Sequence, residues 1–294
     1  MKTILVPTDF SENATNVLNY AAALAKQIRD KIIIAHIINL PVTPLESGVF
    51  LSPNAQLKED GQRELNIISR ELRLENGFRF ELETIFQYGY FLGSLAELVQ
   101  THVVDLVVMG TRGATKFLNK RVGTNTLEFI KMATCPVLAI PSGAVFSGIK
   151  QIAYASDFES EEPIFLQQLF GIAEHLQADV SIVNIITEHQ LDILANGQVL
   201  QDINQIIPDK NYSVAQILEN DVVKELHTYV QDNQVDVLAI SVHERSFFEK
   251  LFQSSISKQL LYQPRMPLLA LPDEPKQAPK PFTKNATFKL IISY

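Results

Sequence analysis

Gly110, Gly113 and Gly123, with Thr124 directly after the last, are the residues whose types and spacing suit contact with a polyphosphate. Glycines let the backbone approach a ligand closely, and the free N–H groups at a helix start favour negative charge. The stretch lies between apolar runs at residues 103–109 and 136–140, so it reads as a strand, a glycine loop and the opening of a helix. A second reading of the same residues is a plain strand-to-helix turn at Gly110 and Gly113, with a bend at Gly123. Arg112, Lys116, Lys120 and Arg121 would either neutralise phosphates or lie on a solvated surface. Asp9, which ends the first apolar run of the chain, would face the same ligand or serve as an N-cap or Asx-turn residue.

The elements that must position these residues come in two copies. Ile4-Leu5-Val6-Pro7-Thr8-Asp9-Phe10 is echoed by Ile152-Ala153-Tyr154-Ala155-Ser156-Asp157-Phe158, with 148 positions between the aspartates. After each pair, apolar residues recur at spacings of three and four: Val17, Leu18, Ala21, Leu24 and Ala25, then Phe165, Leu166, Leu169, Ile172, Ala173 and Leu176. Ser11 and Ser160 are expected N-caps, and Pro163 suits a first helical turn. Strands are expected at residues 31–38, 78–86, 103–109 and 136–140, and again at 179–186, 212–218, 235–240 and 267–271. Helices are expected at residues 92–102 and 221–232. Continuous apolar strands joined by helical crossovers predict an α/β fold of two tandem doubly wound parallel-sheet domains, residues 1–143 and 149–272. Residues 142–148 read as the linker, residues 40–54 and 188–208 as irregular insertions, and the tail 273–294 as partly disordered.

Composition narrows the partners. The 294 residues are 46% hydrophobic and 20% charged, as in soluble globular proteins. A net charge of −8 argues against nucleic acid or an anionic membrane as the main partner. No apolar run approaches the roughly 20 residues that cross a bilayer, and the first strand follows Met1 without a signal-peptide core. The single Cys135 cannot form an intrachain disulfide; it reads as an inert core residue and predicts a reducing, cytoplasmic setting.

The glycine loop, the aspartate ending the first strand and the repeated halves resemble those of tandem universal stress proteins, over nearly all of residues 1–272. The resemblance implies an adenine-nucleotide site with these residues in these places. Asp9 would help hold adenine, Pro7 and Thr8 would border its pocket, and the backbone near Ile37 would read its edge. Met109 and Gly110 would run under ribose and phosphates, and Gly113 would admit phosphate to the backbone. Gly123, Thr124 and Asn125 would donate hydrogen bonds at the helix start, Asn125 standing where relatives often carry serine. ATP or a related adenine nucleotide is the implied ligand, with Mg²⁺ offsetting triphosphate charge. A homodimer paired through the apolar last strand and an unidentified signalling partner are implied as well.

The second half keeps the loop's length and loses its glycines. Ser241 stands for Gly110, Glu244 for Gly113, and Ser254-Ser255 for Gly123-Thr124. A carboxylate at a phosphate position repels, so ordinary ATP binding is expected in the first half only. Around it, His243, Glu244, Arg245 and Asp157 would form a distinct ligand or metal site, or Phe247, Phe248 and Phe252 would pack on a core or interface. His175, His189 and His227 show no metal-ligand spacing, and His36 reads as a hydrogen-bonded structural histidine. The leading expectation is therefore a nucleotide-dependent regulatory protein of the stress response, without catalytic or metal-binding residues. A slow ATPase and a nucleotide-free interaction scaffold are the alternatives; the loop lacks the Gly-x4-Gly-Lys-Ser/Thr form that supports fast hydrolysis.

Overall fold

The computed structural model describes residues 2–39, 55–77, 79–111, 124–156, 162–186, 203–205, 207, 210–218, 222–242 and 266–272. Among them the first half runs β1 (Thr3–Pro7), α1 (Glu12–Ile28), β2 (Lys31–Ile38), α2 (Ala55–Asn76), β3 (Leu82–Tyr88), α3 (Phe91–Thr101), β4 (Leu106–Gly110), α4 (Thr124–Met132) and β5 (Val137–Ile140). The second half runs β6 (Gln151–Ser156), α5 (Glu162–Leu176), β7 (Asp179–Ile186), β8 (Tyr212–Leu218), α6 (Val222–Asp232), β9 (Val237–Val242) and β10 (Leu268–Pro272).

Local chemistry accounts for α1. Ser11 caps it, accepting from the Ala14 N–H at 3.2 Å, and Glu12 sits in the first turn where the helix dipole favours an anion. Val17, Leu18, Ala21, Leu24 and Ala25 form the buried stripe that their spacing predicts. The helix ends at Arg29, which turns left-handed with φ 59°. Gln177 does the same after α5 with φ 55°, 148 positions later. Strictly repeated backbone exceptions at non-glycine residues mark the two halves as copies of one unit.

In each half, crossover connections set the strands in parallel. The first half orders them β3-β2-β1-β4-β5 and the second β8-β7-β6-β9-β10. The pairings coincide: Thr3 lies opposite Lys31 and Gln151 opposite Asp179, while Val107 meets Val137 and Leu238 meets Leu268. Each half is thus doubly wound as the apolar runs predict. The halves do not remain separate sheets, however. β5 and β10 pair antiparallel, with Leu138 opposite Leu269, and make one ten-stranded sheet. The sequence reading gave this apolar last strand to a homodimer; here the two last strands pair with each other inside one chain.

Alternation along the strands feeds two cores, one on each sheet face. Ile4, Val6, Ile32 and Ile34 pack with α1, α2 and α5 residues such as Leu24, Leu65 and Leu169. Leu5, Ile33 and Val107 pack with α3, α4 and α6 residues such as Leu95, Phe129 and Leu226. Both cores run through both halves. The connection at 142–148 is packed rather than loose: Ala144 is buried, and Phe146 meets Tyr20 edge-on at 5.0 Å. The halves also touch through Gln27, which donates to the Leu176 carbonyl at 3.1 Å, and through His175 Nε2, 2.9 Å from Asp30 Oδ1.

Several bounds differ from those the apolar runs predict: the strand expected at 103–109 is Leu106–Gly110, since Val103 is exposed and turns left-handed with φ 49°, and that expected at 235–240 is Val237–Val242. The strand expected at 78–86 is Leu82–Tyr88, because its pairing starts where Ile32 N–H donates to the Glu81 carbonyl. Phe80 is apolar enough to read as part of that strand, but it packs against the core from outside the ladder. The 22-residue helix α2 carries little periodic signal in the sequence, since only Gly61, Leu65 and Leu72 are buried along it. The insertions at 40–54 and most of 188–208, and the tail 273–294, lie outside the described residues.

Candidate functional site

Of the residues singled out in the sequence, those that the structure describes lie where β1 and β4 diverge. β1 lies between β2 and β4, and the chain turns to opposite sides of the sheet after these strands. Such a switch point leaves a crevice beyond the carboxyl ends of the strands. Pro7, Thr8 and Asp9 reach it from β1, Ile37 from β2, Met109 and Gly110 from β4, and Thr124 and Asn125 from the opening of α4.

Beyond Pro7 the chain is pinned at almost every step. Thr8 N–H donates to the Ala35 carbonyl at 2.8 Å, extending the β1–β2 ladder by one residue. Thr8 Oγ1 accepts from Phe10 N–H at 3.1 Å, and Asp9 Oδ1 accepts from Ser11 N–H at 3.0 Å. The second of these is the Asx-type turn named as the alternative role of Asp9, and it leaves that residue exposed at the rim. Phe10 holds φ at 61°, a left-handed conformation that side-chain-bearing residues avoid at a cost of about 1–3 kcal/mol. His36 is hydrogen-bonded, as its place in an apolar strand suggested: Nδ1 donates to the Thr8 carbonyl at 2.8 Å.

Across the crevice, β4 ends at Gly110 and a single side chain ties the next helix back to it. Thr126 Oγ1 donates to the Gly110 carbonyl at 2.7 Å and is 4% exposed. Thr111 N–H donates to the Ile140 carbonyl at 3.0 Å, so the ladder with β5 continues one residue past the strand. The first turn of α4 therefore stands against the end of β4. Met109 is buried beneath this junction, and Asn125 is exposed beside it. Gly113, Gly123 and the basic residues Arg112, Lys116, Lys120 and Arg121 lie outside the described residues.

The second half repeats the frame with other side chains. Ser156 lies opposite Asn184 in the register that continues from Thr8 and His36, and Ser241 lies opposite Leu271 as Gly110 lies opposite Ile140. All three polar residues, Ser156, Asn184 and Ser241, are buried. Asp157 and the segment 243–265, with His243, Glu244, Arg245 and its phenylalanines, lie outside the described residues. Among the described residues, no group of three His, Cys, Asp or Glu could hold a metal ion.

Some structural residues of the site region carried no sequence signal. Thr126 is one, since its partner is 16 positions away. Asp105 is another: its Oδ2 accepts from the N–H groups of Lys2 at 2.7 Å and Thr3 at 3.0 Å, fixing where β1 enters the sheet beside β4. Asp236 repeats this with Lys150 at 2.7 Å and Gln151 at 3.0 Å. Each carboxylate was legible only as the lone acid of an apolar run. Cys135 is buried as expected, and its thiol is pushed up to about 12, chiefly by burial.

Comparison with known proteins agrees with this architecture. Residues 1–141 match the model of the universal stress protein family. Universal stress protein Slr1230 of Synechocystis sp. is 23% identical over 291 residues, covering 92% of this chain and 99% of its own. Universal stress protein MJ0577 of Methanocaldococcus jannaschii is 26% identical over 155 residues, covering 47% of this chain and 94% of its own. The crystal structure of a universal stress protein from Archaeoglobus fulgidus superposes with a TM-score of 0.70 at 17% identity, covering 92% of this chain and 98% of that one. The repeated doubly wound architecture is thus found over nearly the whole chain in a solved structure, and residues 1–141 are similar to the universal stress protein family.

Proposed function

We propose that this protein is a regulatory nucleotide-binding protein holding one adenine nucleotide, ATP or a close relative, in the crevice of its first half. The observation that carries the reading is the junction of Asp9, Gly110 and the start of α4 at one switch point, closed by the Thr126–Gly110 hydrogen bond. Parallel strand ends, a glycine at the end of one of them and a helix start beside it are what a phosphate chain needs. In the same reading Pro7, Thr8, Asp9 and Ile37 surround the base, while Met109, Gly110, Gly113, Gly123, Thr124 and Asn125 line ribose and phosphates. Mg²⁺ accompanies ATP there as a counter-charge.

The second half carries Ser241 in place of Gly110 and, by sequence, Glu244 in place of Gly113. We assign it to structure and signalling, with domain limits of 1–143 and 149–272. Self-association would need a surface other than the last strands, since β5 and β10 already pair with each other. Among the described residues, no helix is long and apolar enough to cross a membrane.

Mass spectrometry of the protein purified under native conditions, then denatured, tests the reading by looking for released nucleotide. Adenine nucleotide near one equivalent per chain is expected; its absence, together with no ATP uptake on incubation, would overturn the reading. The regulatory assignment carries its own check. ATP turnover above background that disappears in Asp9→Ala would make the protein an enzyme instead.

A further inference from the structure

Phe10 is a large residue in the backbone region that suits glycine, with φ 61°, directly after the aspartate of the crevice. A conformation of that kind persists only where surrounding contacts over-determine it. Phe10 packs against the core and donates its N–H to Thr8 Oγ1 at 3.1 Å, and one further side chain stacks on its ring. The His36 ring lies 4.1 Å from the Phe10 ring, centroid to centroid, with 33° between their planes. The same imidazole holds the Thr8 carbonyl at 2.8 Å, and a carbonyl only accepts, so Nδ1 carries the proton. His36 is itself backed by neighbours. Phe86 backs it at 5.8 Å, and α2 crosses so close above that a Cβ on Gly61 would lie 2.4 Å from Phe86 and 3.3 Å from His36.

We infer that His36 is a positioning residue for the nucleotide site: it grips the turn on both sides of Asp9 and fixes how that aspartate meets the ligand. This rests on the nucleotide reading above and deepens it. Asp9 is joined through its own peptide groups to Thr8 and Phe10, so its orientation follows from theirs. One face of the imidazole holds the Phe10 ring; Nδ1–H holds the Thr8 carbonyl. The second half offers the natural contrast. Asn184 stands in the register position of His36, with a donor but no ring to stack on the residue after Asp157.

Calorimetric titration of the full chain with ATP and Mg²⁺ tests the inference, using variants that separate the two contacts. His36→Asn keeps a donor for the Thr8 carbonyl and removes the ring; ATP affinity is expected to fall about tenfold. Phe10→Gly added to His36→Asn removes the need for the ring, because glycine takes φ near 60° without strain; affinity is expected to return to within about threefold of the wild type. A merely structural histidine would lower the melting temperature of both variants and would not let Phe10→Gly restore binding. His36→Asn with wild-type affinity, or a double variant as weak as His36→Asn, would overturn the inference while leaving the nucleotide reading in place. Wild-type protein that takes up no ATP would overturn the nucleotide reading and, with it, this one.

Discussion

Gly110 and Ser241 occupy the same register position in two copies of one unit, and a hydroxymethyl group is all that separates them there. At this scale the sequence was most readable where partners are close along the chain. Ser11 as a cap, Asp9 as a turn residue and His36 as a hydrogen-bonded strand residue all follow from local chemistry. Thr126 and His175 did not, because a hydroxyl 16 positions from its carbonyl and an imidazole 145 positions from its carboxylate leave no pattern. Cys135 gives a residue-scale prediction. Burial is the main reason its thiol is raised to about 12, the Asp105 carboxylate adds to the shift, and a backbone hydrogen bond involving Val107 opposes it. The folded thiol therefore keeps its proton at pH values where the unfolded one, near pH 8.5, has lost it. Its contribution to stability is intact below that pH and is lost as pH rises toward about 12. At pH 8 a thiol reagent is expected to modify native protein no faster than the chain opens, and to modify one thiol per chain in denaturant. Rapid, complete modification of native protein would contradict the buried placement.

Helices and strands were read from periodicity, and they were read well where one face is fully covered. The apolar stripes of α1 and α5 and the strands at Lys31–Ile38, Asp179–Ile186 and Tyr212–Leu218 match in place and extent. α2 was missed because it lies on the outside of the sheet with a narrow buried stripe, and its charged residues mask the period. One of its buried positions explains itself only in the fold. Gly61 lowers helix propensity by about 1 kcal/mol relative to alanine, yet no side chain fits between α2 and Phe86. Gly61→Ala is accordingly expected to destabilise the protein, by about 1–3 kcal/mol of overpacking less the propensity gained. Denaturant titration gives the answer: a lower midpoint supports the close crossing of α2 over Phe86 and His36, and a higher one contradicts it.

On the scale of the whole molecule, duplication was evident from two matched series of motifs, whereas their union in one sheet was not. An apolar last strand looks the same in a sequence whether its partner is another chain or the other half of its own. The β5–β10 ladder joins residues about 131 positions apart, and only the structure shows that it closes within the chain. A consequence can be measured. Truncation after Gly148 would bare β5, with Val137, Leu138, Ala139 and Ile140 all buried in the full chain. An open apolar edge of that kind seeks a new strand, so the isolated first half is expected to self-associate in sedimentation velocity runs. A monodisperse monomer would show that β10 is not needed to cover it.

The duplication also frames the central claim, that of two related halves only the first holds a nucleotide. Isothermal titration of the full chain with ATP and Mg²⁺ addresses this most directly when run beside Gly113→Glu, which gives the first half the residue that its second-half counterpart carries. One site per chain is predicted for the wild type, with affinity at least about tenfold weaker in Gly113→Glu. No saturable binding, two equivalent sites per chain, or an unchanged affinity in Gly113→Glu would contradict it.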